Sequence, residues 1–213
     1  DRLYSDTITS EDEEIIFEKL GRKPHQNEFL CIKCDKQSFL GSYKNNSIVK
    51  ILNEKDIDDG LVGIRSRNRE QLFALNALND IDIPLVTITG LAGSGKTFIT
   101  LMSAIAGLNM KLYERIVITR NIQPVGKDIG FLPGDMNDKM LPWMSPIIDN
   151  FRHAFKDKDL TYFNAMMTKG TIEIAPLSFM RGRTFSNTLL IFDEAQNASI
   201  HELKTVITRI GEG

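Results

Sequence analysis

The segment Gly90-Leu91-Ala92-Gly93-Ser94-Gly95-Lys96-Thr97 constrains this chain more than any other. It fits Gly-x4-Gly-Lys-Ser/Thr and falls between an apolar run with strand character, residues 85 to 90, and a helical stretch from Gly95 to Met110. Glycines at 90, 93 and 95 let the backbone fold so that successive N–H groups point inward at phosphate oxygens, and a helix N-terminus adds a favourable dipole. The expected cradle is Gly90, Leu91, Ala92, Gly93, Ser94, Gly95, Lys96, Thr97 and Phe98. In it Lys96 reaches the β and γ phosphates of a nucleotide, and the Thr97 hydroxyl ligates magnesium. The plain alternative is a glycine-rich turn ahead of an ordinary helix.

A second motif weighs against that alternative. Leu189-Leu190-Ile191-Phe192-Asp193-Glu194-Ala195-Gln196 reads as a buried strand ending in two carboxylates and a glutamine. A phosphate-bound magnesium needs oxygen ligands, and Asp193 at the C-terminal end of the strand would supply one. Glu194 beside it can accept a proton from, or orient, the water that attacks the γ phosphate. Gln196 is placed to sense that phosphate. Alone, the pair would read as solvated carboxylates capping the next helix.

The chain as a whole is suited to carry such a site. Its 213 residues are 42% hydrophobic and 25% charged, enough for a sizeable core, and 26 Lys+Arg against 28 Asp+Glu leave a formal charge of -2. No global basic field recruits nucleic acid or anionic lipid, so any such binding is local. No run approaches the roughly 18 apolar residues of a membrane helix and no secretory leader opens the chain, so a soluble, cytoplasmic protein with no membrane partner is expected. Cys31 and Cys34 form a Cys-x-x-Cys, but on a strand residues three apart face opposite sides, and His25 is the only further ligand nearby. They read as structural cysteines.

Three regions follow in order. Residues 1–27 are polar and acidic with at most one short helix, and 28–64 form a small β module of three or four strands. Residues 65–213 hold the phosphate loop in a strand, helix, strand pattern that predicts a parallel sheet. Strands are expected at 85–90, 115–120, 172–175 and 189–192, and helices at 70–78, 95–110, 137–156, 159–168 and 200–210. The stretch from Asn121 to Trp143 is rich in hinge residues and is expected to be mobile or to touch ligand, with Trp143 as a packed anchor.

Two further sets of candidates stay open. Asn68 with Gln71 makes a capping-box arrangement, and the Gln71 amide could equally read an adenine edge; the two roles do not exclude each other. Phosphoryl transfer is assisted by a guanidinium, and Arg120, Arg181, Arg183 and Arg209 all end elements or sit in loops near the expected catalytic edge, Arg183 being the one assigned to catalysis. Arg65, Arg67 and Arg69 alternate through a linker and either track a nucleic-acid backbone or are simply solvated.

With these residues assembled, the stretch from about Asn68 onward resembles the PhoH-like ATPases. The resemblance is carried by residues 90–97, Ile-Thr-Arg (118–120), Gly-Phe-Leu-Pro-Gly-Asp (130–135) and Lys-Met-Leu-Pro-Trp (139–143). It continues through Phe-Met-Arg-Gly-Arg-Thr (179–184), Asp-Glu-Ala-Gln (193–196) and Thr-Arg-Ile-Gly-Glu-Gly (208–213), about two-thirds of the chain. It implies an α/β P-loop NTPase with a parallel sheet and a RecA-like helicase core, here preceded by the small β module, with ATP and Mg2+ as cofactors. The β module and residues 68–71 are similar to members in which a PIN nuclease domain precedes the ATPase. Such proteins are implied to act on single-stranded RNA, to couple ATP-driven unwinding to cleavage and to form homo-oligomeric rings. No acidic quartet able to hold nuclease metals is visible, so the PIN part is expected to be absent and the chain not to cut RNA by itself. The family continues past the equivalent of Gly213 into a strand ending in Gly-Asp that lies between the phosphate-loop strand and the Asp-Glu strand. That C-terminal strand is expected to be missing here, leaving this chain weakly active alone.

The favoured expectation is a magnesium-dependent ATPase motor domain of helicase type. The alternative is an ATP-gated RNA-binding or assembly module without motor activity. A small-molecule kinase is disfavoured by the Asp193-Glu194 pair.

Overall fold

The structure is a computed structural model that describes residues 8–34, 37–53, 55, 57, 63–120, 136–155 and 157–211. The side chains of residues 34, 37 and 136–143, Trp143 among them, lie outside the description, as do the expected hinge stretch 121–135 and its Gly-Phe-Leu-Pro-Gly-Asp motif. By contacts the chain divides into two compact units, residues 1–57 with 65–87, and residues 58–64 with 88–213.

The first unit opens with helix α1, Ser10–Leu20, where Thr9 and Asp12 form a reciprocal capping box and Gly21 closes the C-terminus in the left-handed region. Three antiparallel strands follow in the order β1 (Phe29–Cys34), β2 (Gln37–Lys44) and β3 (Ser47–Lys50). Asn45 and Asn46 join β2 to β3 with φ of 51° and 67°, the two-residue hairpin turn whose twist matches its strands. Leu30, Phe39, Tyr43 and Ile48 make the small core, with Ile16 and Phe17 of α1 packed on it. Helix α2, Arg69–Leu78, belongs to this unit too, although the sequence placed it at the head of the ATPase region. It is held by Phe73 stacked on Phe29, 4.9 Å between ring centres, and by the Asn76 carboxamide, which pairs with both backbone groups of Leu52.

In the second unit helix α3 (Lys96–Asn109) is buried from Leu101 to Gly107, and β4 (Arg115–Arg120) is the centre of a parallel sheet. Its partners are β5 (Ile172–Pro176) and β6 (Thr188–Asp193), in the order β5-β4-β6. The unbroken apolar run Ile116-Val117-Ile118 is what a strand covered on both faces requires. Between β4 and β5 lie α4 (Met136–Phe155) and α5 (Thr161–Thr168), locked by Phe151 against Phe155 and Phe163; α6 (Ile200–Ile207) follows β6. One face of the sheet packs Val117, Ala175, Leu190 and Phe192 on Leu177, Met180, Phe185 and Val206. Successive strand residues alternate faces, so Ile116, Ile118, Arg120, Ile191 and Asp193 share the other face.

One expected strand is corrected. Residues 85–90 join no ladder: Val86 and Ile88 are half-buried while Leu85, Thr87 and Thr89 are exposed. β propensity alone does not make a strand, because the ladder needs a hydrogen-bonding neighbour, and β6 is paired among the described residues only along its β4 edge. No helix among the described residues is long and apolar enough to cross a membrane.

Candidate nucleotide site

The phosphate loop owes its shape to two glycines. Gly93 and Gly95 have φ of 75° and 85°, a region closed to most side chains, and Gly95 then starts α3 with no side-chain cap. The first N–H groups of an α-helix have no intrahelical partner, so this terminus presents donors and the positive end of the helix dipole to the loop. The Lys96 ammonium folds back over the loop and donates to the carbonyls of Gly90 at 2.8 Å and Leu91 at 2.9 Å. Both are exposed, neutral backbone acceptors, which an anionic phosphate oxygen would outcompete for the ammonium. Phe98 turns away into an edge-to-face contact with His153, ring centres 5.9 Å apart.

The second motif arrives at the same point. Asp193 ends β6, and its Oδ1 accepts a hydrogen bond of 3.1 Å from the Thr97 hydroxyl, across 96 positions of sequence. Two hard oxygens at this separation suit a magnesium ion, whose ligands at roughly 2.0–2.1 Å place neighbouring octahedral oxygens about 2.9 Å apart. Among the described residues no cluster of three or more His, Cys, Asp or Glu could hold a metal. Thr97 and Asp193 are thus the kind of sparse protein ligation that leaves most of a magnesium shell to phosphates and water.

Glu194 follows with φ 52° and ψ 40°, a left-handed conformation that costs a non-glycine residue on the order of 1 kcal/mol. The bend carries its carboxylate out of the strand. Oε1 lies 3.4 Å from Arg120 Nη2, and Oε2 accepts a hydrogen bond from the Gln196 carboxamide. Arg120 is paired with Asp193 across the β4–β6 ladder and shares its face, so Lys96, Thr97, Arg120, Asp193, Glu194 and Gln196 gather at one end of the second unit.

Other expected residues lie elsewhere. Arg183 makes a bidentate pair with Glu173, at 2.5 and 2.7 Å, and stacks over Phe185 with its guanidinium carbon 4.8 Å from the ring centre. Glu173 pairs with Val117, three positions before Arg120, which puts it on the opposite face of the sheet and about 10 Å back along the strand. Arg183, expected to act in catalysis, thus lies away from the phosphate loop of its own chain, with its charge on Glu173, whose carboxyl it holds below the ordinary range. Arg181 is exposed on the α6 side and its charge reaches Glu202; Arg209 follows α6, with its carbonyl bonded to the Phe185 N–H.

In the first unit, Gln71 caps its own helix. Its N–H donates to Asn68 Oδ1 at 2.8 Å, and its carboxamide oxygen accepts from the Arg67 N–H at 2.7 Å, one residue before the partner a capping box uses. Arg69 donates to Cys31 Sγ at 3.1 Å, which removes it from the set of simply solvated linker arginines.

Comparison with known proteins agrees with this geometry. The PhoH-like protein family model matches residues 63–213. Protein PhoH2 of Bacillus subtilis is 43% identical over 158 residues, covering 73% of this chain and 36% of that protein. Protein PhoH of Escherichia coli K12 is 39% identical over 149 residues, covering 70% of this chain and 41% of its own. A PhoH-like protein of Synechocystis is 35% identical over 150 residues, 70% of this chain and 44% of that one. The chain thus spans less than half the length of these relatives. On the family match and on the meeting of its phosphate loop with the strand-end aspartate, the chain belongs to the PhoH-like family, with the fold of a P-loop nucleotide-binding protein.

Proposed function

We propose that this chain binds and hydrolyses ATP with magnesium, and that in the whole protein this turnover is coupled to the binding or unwinding of single-stranded RNA. The observation that carries the ATP reading is the Thr97–Asp193 hydrogen bond, because it brings the phosphate loop and the acidic strand end within reach of a single triphosphate. RNA as partner, and assembly into rings, rest on the family resemblance alone.

On this reading the loop amides and Lys96 hold the β and γ phosphates, Lys96 exchanging the Gly90 and Leu91 carbonyls for phosphate oxygens. Thr97 and Asp193 would hold magnesium, which when bound neutralises charge on the phosphates. Glu194 orients the attacking water and accepts its proton. The water oxygen forms a bond to the γ phosphorus, the bond to the β–γ bridging oxygen breaks with its electron pair leaving on ADP, and inorganic phosphate is released. Gln196, bonded to Glu194, helps set the direction of that carboxylate.

The test is turnover in the intact protein with and without single-stranded RNA. Lys96→Ala is expected to lower it about 10³-fold, the scale of losing a charge-stabilising donor. Glu194→Gln is expected to keep ATP binding and slow hydrolysis by about 10²-fold. Hydrolysis at the parental rate by Glu194→Gln would contradict the role given to that residue. ATP turnover that RNA leaves unchanged would replace the motor reading with an ATP-gated binding module.

A further inference from the structure

Among the described residues of the catalytic end, Arg120 holds its partner loosely. Arg120 Nη2 approaches Glu194 Oε1 at 3.4 Å, and both side chains are partly exposed, at 25% and 37%. Such a pair is weak and exchangeable. Arg183, by contrast, closes two short hydrogen bonds on one carboxylate and lies on an aromatic ring. The backbone under Arg120 is firm, since Thr119 is fully buried and both are in ladder with β5 and β6. Movement of the guanidinium therefore takes only side-chain torsions.

Arg120 also stands where a choice of partner arises. It shares a sheet face and a ladder position with Asp193, whose carboxylate rests on the phosphate-loop threonine. Glu194, meanwhile, has one oxygen toward Arg120 and the other bonded to Gln196, so each oxygen meets a protein group. We propose that Arg120 is the positioning residue that reports the γ phosphate to Glu194. A terminal phosphate carries roughly two negative charges and offers three oxygens to a planar guanidinium, against one charge on a carboxylate. When a triphosphate is seated in the loop, Arg120 leaves Glu194 for the γ phosphate, and the carboxylate is released to take the attacking water. A diphosphate ends one phosphoryl group earlier, at the β position held by the loop, so it puts no such group at the γ position and leaves the pair closed. This inference rests on the nucleotide reading above and adds its consequence: Arg120 confers preference for triphosphate over diphosphate, and Glu194 opposes it.

The experiment measures binding of ADP and of the non-hydrolysable β,γ-imido analogue of ATP to the intact protein. It compares the parent with Arg120→Ala, Arg120→Lys, Glu194→Ala and the double variant Arg120→Ala/Glu194→Ala. In Arg120→Ala the preference for the triphosphate analogue is expected to fall about 10-fold while ADP affinity stays within about 2-fold, and Arg120→Lys is expected to retain part of the preference. Glu194→Ala is expected to tighten the analogue several-fold when Arg120 is present and to have no such effect when it is absent. Equal weakening of both nucleotides in Arg120→Ala, or tightening by Glu194→Ala regardless of Arg120, would overturn the proposal. So would an unchanged nucleotide preference with loss of RNA affinity, which would give Arg120 to the nucleic acid. A parent that binds neither nucleotide would overturn the nucleotide reading itself, and this proposal with it; a parent that binds both without the coupling sinks only the proposal.

Discussion

The two faces of the parallel sheet carry similar residues arranged to opposite ends. Toward α6, the buried Phe185 has the guanidinium carbons of Arg115 and Arg183 at 5.7 and 4.8 Å from its ring centre, and Glu173 fastens Arg183 by two bonds. Toward α3, Arg120, Glu194 and Lys96 hold single or exposed contacts that a phosphate could replace. On the first face Arg183 and Glu173 are paired and Arg183 is stacked, so they stiffen the sheet; the charged groups on the second are kept near partners they can give up. An arginine near a P-loop is thus read by how its bonds are satisfied, not by its distance in sequence.

The sharpest way to break this contrast is Phe185→Ala. It removes a side chain that is 1% exposed and leaves two guanidinium groups without their ring, so a stability loss of about 3–5 kcal/mol is expected in chemical denaturation. Nucleotide affinity of the folded fraction is expected to stay near parental. A smaller effect is expected from Arg183→Ala, about 1 kcal/mol for a partly exposed ion pair with a cation–π contact, again with nucleotide binding unchanged. A loss of nucleotide affinity in Arg183→Ala beyond its stability effect would erase the distinction between the faces.

Those substitutions also show which parts of the site a sequence can reveal. The phosphate loop, the acidic strand end, the strand at 115–120 and the helices at both sides of it were legible because each is a local pattern of spacing. Arg120 and Arg183 look alike in sequence, one in Ile-Thr-Arg and the other in Arg-Gly-Arg-Thr, and their difference emerges only from ladder register, since Val117 and Arg120 fall on opposite faces. The run Val86-Thr87-Ile88-Thr89 is β-branched throughout and signals strand propensity, whereas a strand exists only with a bonded neighbour, which residues 85–90 do not have among the described residues. The attachment of α2 to the small sheet depends on Phe29 meeting Phe73 and Leu52 meeting Asn76, long-range pairs that no periodicity encodes.

The smallest expected effect sharpens the same contrast through pH. Arg183 donates hydrogen bonds to Glu173 and lowers its pKa from the ordinary 4.5. A carboxyl depressed on folding stabilises the protein above its unfolded pKa, and that contribution is lost as pH falls through the folded value. The parent should therefore lose stability below about pH 4.5, and Arg183→Ala should lose less over the same range. The limb will shrink rather than vanish, because Glu28 in the first unit is held down to about 2 by Arg22 and the His25 N–H and keeps its own loss between 4.5 and about 2. Melting temperatures of both proteins across this range test the sign.

The claim on which the site depends is that Thr97 and Asp193 close on one magnesium-bound triphosphate. Titration calorimetry of the non-hydrolysable ATP analogue, with magnesium and with a chelator, tests it in the intact protein and in Asp193→Asn. Magnesium is expected to tighten binding in the parent by 10-fold or more, about 1.4 kcal/mol, and to have little effect in the variant. Equal magnesium dependence in both proteins, or none in the parent, would contradict it.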